Sequence, residues 1–72
     1  MTTPMLPVNS SQISYIGFDD ENNILYVTFK NNKTYEYSDV PYVTWKALKN
    51  APSIGSYFSA NIKNKYKSKE IK

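Results

Sequence analysis

The residues best placed to do chemistry in this chain are Ser53-Ile54-Gly55-Ser56 and, ten positions on from Ser53, Lys63. Pro52 cannot continue a preceding helix, and Ser53 is a good N-cap whose hydroxyl accepts from an amide two or three residues on. From there Ile54, Phe58, Ile62 and Tyr66 recur every four residues, the apolar stripe of an α-helix. The first turn of such a helix offers unpaired N–H groups, a glycine that leaves their approach open, and two hydroxyls. These suit a phosphate or carboxylate. The structural alternative is that Ser53 only caps the helix and Gly55 only lets a neighbouring strand pack close. The two readings part at Gly55→Glu: an anion site loses binding with the fold intact, whereas a packing glycine damages the fold. Lys63 lies about 15 Å along the helical rise from Ser53, so it serves another phosphate or a neighbouring subunit.

Tyr35, Tyr37 and Tyr57 are candidates for stacking on a base, an interaction that contributes roughly 1–3 kcal/mol per base. Their alternative role is to fill a core, the favoured one for Tyr35 and Tyr37. Ser10 and Ser11 either bond a ligand or cap a strand edge. The chain has no histidine and no cysteine. That removes the usual zinc sites, the Ser–His and Cys–His nucleophile pairs, and disulfides. Of the six acids, Asp19, Asp20 and Glu21 are adjacent in what reads as a turn, a poor setting for a catalytic carboxylate pair. No catalytic residue, metal or cofactor is expected, and an enzyme is disfavoured.

The elements that must position these residues read as follows. Residues 1–7 hold two prolines and no period, and form a loose arm. A first strand runs from Val8 to Asp19, where the three-residue step from Ile13 to Ile16 predicts a bulge before Gly17. Asp20-Glu21-Asn22-Asn23 is a turn. Ile24 to Lys30 alternates, with Leu25, Val27 and Phe29 on one face. Asn31-Asn32 forms a tight hairpin turn, and Lys33 to Asp39 returns with Tyr35 and Tyr37 on one face. Asp39 is the expected N-cap of a first helix with Pro41 just inside its start, and Val43, Ala47, Leu48 and Ala51 form its buried stripe with Trp45 at the edge. The fold class is α+β: a three-stranded antiparallel meander sheet covered by two C-terminal helices, spanning residues 8–66. Residues 67–72 are a basic tail.

At 72 residues the chain is one domain near the lower size limit for an unstapled core. Eleven aromatics, seven of them tyrosine, are a heavy load for that length and suit binding surfaces and subunit interfaces. The net charge of +3 divides unevenly, into −1 over residues 1–62 and +4 over residues 63–72. A basic end favours polyanions or small phosphorylated ligands, although a solvated lysine tail is the commoner reason for such a run. Arginine is absent, so bidentate clamping of phosphate is unavailable. No apolar run approaches a membrane span or a signal peptide, and a soluble, cytoplasmic protein is expected.

Read together, Val8, Ser10-Ser11, Ile13, Ile16-Gly17-Phe18-Asp19, Leu25, Val27, Phe29, Tyr35, Tyr37, Val40-Pro41, Leu48, Ala51, Ser53, Gly55, Tyr57-Phe58, Ile62 and Tyr66 form one pattern. It resembles the KTSC domain, named for similarity to a C-terminal extension of some lysyl-tRNA synthetases. Two positions depart from the family: Asn32 stands where a turn glycine is usual, and Lys63 where arginine is frequent. The second keeps charge but loses the planar fork. The resemblance implies a small non-enzymatic domain, often free-standing and common in bacteriophages, with suspected nucleic-acid or nucleotide binding. Some very small phage proteins act as sponges for nucleotide signals made by bacterial immune systems, and this chain fits that class. One such domain cannot enclose a dinucleotide, so a sponge would be a homo-oligomer holding a cyclic (di)nucleotide between subunits in the host cytoplasm. Its ligand residues would be Ser53, Gly55, Ser56, Tyr57, Lys63, Tyr37, Tyr35, Ser10 and Ser11. One alternative is RNA binding, to transfer or single-stranded RNA, through Tyr57, Tyr66 and a basic C-terminal helix. A second is a protein-interaction module.

Overall fold

The computed structural model describes residues 4–71. In chain order the elements are β1 (Met5–Pro7), β2 (Ile13–Asp19), β3 (Ile24–Phe29), β4 (Thr34–Tyr37), α1 (Tyr42–Lys49), α2 (Ile54–Asn61) and β5 (Ser68–Glu70). The strands form one antiparallel sheet in the order β1-β2-β3-β4-β5, each paired with its neighbour in sequence. The α+β meander covered by two helices is therefore as expected, but it has five strands rather than three.

Both added strands lie where the sequence reads as unstructured. Met5–Pro7, within the expected loose arm, pairs with β2 so that Leu6 stands opposite Ile16; residues 1–3 of that arm lie outside the described residues. Ser68–Glu70, within the expected tail, pairs with β4 so that Lys69 stands opposite Glu36. All three β5 side chains are exposed. A three-residue strand is too short for a period-two signal, and one with only wet side chains shows no apolar alternation. Backbone pairing to the open edges of β2 and β4 holds them instead. Pro7 in β1 and Lys69 in β5 also discourage further strand addition at the sheet edges.

The bulge falls between Ile13 and Tyr15. It lets Ile13 and Ile16 both point inward, and both are fully buried. Beside them across the sheet, Val27 is paired with Ile16 and Tyr35, and Leu25 with Phe18 and Tyr37. The two hairpin turns use asparagine in the left-handed region, Asn23 at φ 56° and Asn32 at φ 69°. In the second, Asn31 Oδ1 accepts from the Lys33 amide at 3.1 Å. Asparagine tolerates that backbone better than most residues with a Cβ, so the missing glycine is accommodated.

The helices close over this face. In α1 the buried residues are Trp45 and Leu48, while Val43 is 70% exposed and Ala47 is also on the wet side. Leu48 keeps to the expected stripe, but Val43 and Ala47 leave it and Trp45, expected at its edge, is buried. The reason is aromatic packing: the Trp45 ring lies parallel to Phe18 of β2, with centroids 5.6 Å apart, and turns the helix so that Val43 faces out. Nor is Asp39 the N-cap. It sits at φ 60°, and Pro41 occupies the cap position with its carbonyl accepting from the Thr44 amide at 3.0 Å. The residue before a proline is biased away from helical backbone, which moves the helix start past Pro41.

In α2, Phe58 is the packing centre. It meets Phe29 and Tyr37 edge-on at centroid distances of 5.6 and 5.4 Å. Burying such a side chain contributes about 3 kcal/mol. The helix stops at Asn61, with Ile62 as its cap, so the four-residue stripe outlasts the helix. Ile62 is fully buried and Tyr66 is partly buried against the core, but the lysine-rich segment beyond is turn and strand rather than the basic helix expected.

Candidate functional site

Ser53 caps α2 as its sequence implies. Its backbone is extended, at φ −130°, and its Oγ accepts from the Ser56 amide at 3.4 Å. The Ile54 and Gly55 amides, one turn too early for an intrahelical acceptor, face outward from the helix start. Ile54 packs against the core and anchors the turn. Facing it is the β1–β2 loop, where Ser10 Oγ accepts from the amides of Gln12 at 3.2 Å and Ile13 at 3.3 Å. Ser10 thus shapes the entry to β2. Gly55 lies against it: a Cβ built on Gly55 would stand 3.1 Å from Ser10 Oγ. That proximity supports the close-packing role for Gly55.

Between these two segments runs a groove of about 500 Å³ whose walls include Ser10, Ser11, Ser53, Gly55, Ser56 and Ser59. A second groove, of about 470 Å³, is walled by Phe29, Tyr35, Tyr37, Phe58, Lys63 and Ser68. Gln12 and Ser59 line both, so the two grooves adjoin at these residues. The fold brings Ser10, Ser11, Ser53, Gly55 and Ser56 to one wall and Lys63, Tyr35 and Tyr37 to the other. Tyr57 is not among them; it is partly buried against the core and lines neither groove. Tyr37 is only 4% exposed, and burial pushes its phenol above the ordinary value, with Tyr35 adding to the effect. Its ring is mainly core. Tyr35 is less buried and meets Phe29 edge-on at 5.7 Å.

Gln12, Phe29 and Ser59 belong to the cleft without having been singled out in the sequence. For Ser59 a signal exists: Ser53, Ser56 and Ser59 are spaced by three and share one helix face. Gln12 has none, because only the loop geometry places it beside both grooves. Chemically, the walls supply hydroxyls, side-chain amides, aromatic faces and one ammonium. No carboxylate is among the described lining residues, and no group of three or more acids could hold a metal ion there or elsewhere among the described residues. Walls of this kind offer a ligand hydrogen bonds, aromatic faces and one positive charge. No helix among the described residues is long and apolar enough to cross a membrane.

Comparison with known proteins places this geometry in a family. The KTSC domain model matches residues 9–66, most of the chain. This chain belongs to the KTSC domain family. A crystal structure of a KTSC domain protein from Yersinia pestis superposes with a TM-score of 0.95 at 34% identity, covering 99% of this chain and 100% of that one. The KTSC domain here is also 32% identical over 68 residues to a lysine–tRNA ligase of Nostoc punctiforme, and 34% identical over 68 residues to that of Trichormus variabilis. Each match takes in 94% of this chain but only 12% of the ligase's length. A Tsukamurella paurometabola protein matches at 33% identity over 63 residues, 88% of this KTSC chain and 94% of that protein.

Proposed function

We propose that this KTSC domain is a non-enzymatic binder of a small nucleotide, held across the two adjoining grooves beside α2. One observation carries the reading. A serine-lined groove at a helix start joins an aromatic groove with a lysine, through the shared residues Gln12 and Ser59. The hydroxyls of the serine-lined groove suit a phosphate and ribose, while Phe29 and Tyr35 suit a base, so one nucleotide matches both in sequence. The fuller form of the proposal is a sponge, in which a homo-oligomer sequesters a cyclic (di)nucleotide between subunits. The openness of the cleft to solvent favours that form, since a second copy would be needed to cover the ligand.

Thermal unfolding in the presence of cyclic and linear nucleotides and short RNAs tests this. Ligand at a hundred times its dissociation constant stabilises by about 2.7 kcal/mol, a readily visible shift in Tm. Ser59→Trp, which fills the junction of the grooves from an exposed helix position, abolishes the shift while leaving the unliganded Tm near that of the parent. Stabilisation by RNA alone, falling steeply with salt, would replace this proposal with the RNA reading.

A further inference from the structure

Resting on that nucleotide reading, we infer that each cleft is matched to a ligand bearing a single phosphodiester charge and selects against nucleoside polyphosphates. The inference comes from the charges of the walls. Among the described lining residues Lys63 is the one cation and none is a carboxylate; Glu70, opposite Tyr35 in the sheet, lies 3.9 Å from the Lys33 ammonium. The serine-lined groove contributes no full charge, only hydroxyls and the amide side chains of Asn9 and Gln12. Lys63 is exposed and makes no ion pair among the described residues, so its charge is available to a ligand.

A diester brings one negative charge, which one ammonium balances. A triphosphate brings several, and once a second copy covers the cleft those left over must give up water without an opposite charge in return, a large penalty. Lysine is also a point charge rather than a fork, so it suits one diester oxygen better than the paired oxygens of a terminal phosphate. A phosphate monoester falls between the two, because its second proton is lost near pH 6. The described lining residues include no carboxylate or imidazole, so a monoester gains affinity as pH falls through about 6 and a diester does not.

Calorimetric titration of the intact chain with 3′,5′-cyclic AMP, the linear dinucleotide ApA, AMP and ATP tests the inference. Both diesters should bind at least about tenfold tighter than ATP. Lys63→Gln should weaken the diesters by about tenfold and Lys63→Arg should restore them, with circular dichroism confirming the fold of each variant. ATP binding as tightly as the diesters, or a Lys63→Gln variant with unchanged diester affinity, overturns the charge matching while leaving nucleotide binding standing. Failure of all four ligands overturns both.

Discussion

Gly55 and Ser10 meet across the mouth of the serine-lined groove, where a Cβ on Gly55 would stand 3.1 Å from Ser10 Oγ. The same oxygen accepts two amides at the entry to β2, so it is not free to move away. Gly55→Ala gains helix propensity but displaces this hydroxyl, and the steric cost is the larger in so tight a contact. We expect a net loss of about 1 kcal/mol in urea unfolding, and a smaller loss when the change is made in a Ser10→Ala background. Equal losses in the two backgrounds would show that the contact carries no strain. Gly55→Glu should damage the fold more than Gly55→Ala, as the packing role requires.

Removing residues 67–72 tests β5. Its exposed side chains bury little, and the Lys33–Glu70 pair, 3.9 Å apart with both partners about half exposed, adds little. What is lost is the backbone pairing, including the bonds from the Ser38 amide to the Lys67 carbonyl and from the Ile71 amide to the Thr34 carbonyl. The truncated chain should remain folded, about 1–2 kcal/mol less stable, and should associate through the bared β4 edge. Size-exclusion chromatography and urea unfolding check both outcomes. Ser68 lines the aromatic groove, so nucleotide affinity should also fall, but only a few-fold.

Tyr37 sets an alkaline limit on stability. Burial raises its phenol pKa in the folded state above the ordinary value of 10.0. The folded protein therefore holds the proton after the unfolded chain has begun to lose it. The stabilisation is complete below the unfolded pKa and drains away as pH rises through 10 toward the folded value. Tyr37→Phe should flatten this fall between pH 9 and pH 11 in thermal unfolding. Tyr26, raised by desolvation and by the nearby Glu36 and Asp19 charges, keeps a residual slope.

At the opposite pH extreme the β2–β3 turn is the sensitive element. Asp19 accepts from the Asn22 side chain at 2.9 Å and from the Glu21 and Asn22 amides, and these bonds hold its pKa below the usual 3.8. The contribution is present above that value and is lost as pH falls through the depressed pKa. Asn22→Ala should move the Asp19 titration, followed by carboxyl NMR, back up toward its ordinary position.

Phe58→Ala should cost about 3–5 kcal/mol and leave most molecules unfolded at room temperature, because it removes the ring that Phe29 and Tyr37 both pack against. Tyr35→Ala should cost visibly less. Melting curves for the two separate the ring that is core from the ring that is half wall.

The sequence by itself determined the elements whose signals are local. Alternation in Ile24–Phe29, the asparagine turns, the irregular spacing before Gly17 and the Ser53 cap all reside in neighbouring residues, and each has its structural counterpart. The Ser53 helix start was legible for the same reason, but not that Ser10 and Ser11 would face it. Tertiary structure alone decided the rest. β1 and β5 exist because β2 and β4 present unpaired edges, a condition that no three-residue segment encodes in its own side chains. The rotation of α1 followed the Phe18–Trp45 stack across 27 positions of sequence rather than its own apolar spacing. The meeting of Lys63 with Phe29 and Tyr35, and of Gln12 with Ser59, likewise required the sheet to bring distant segments together; periodicity reports which face a residue occupies, but not what that face will meet.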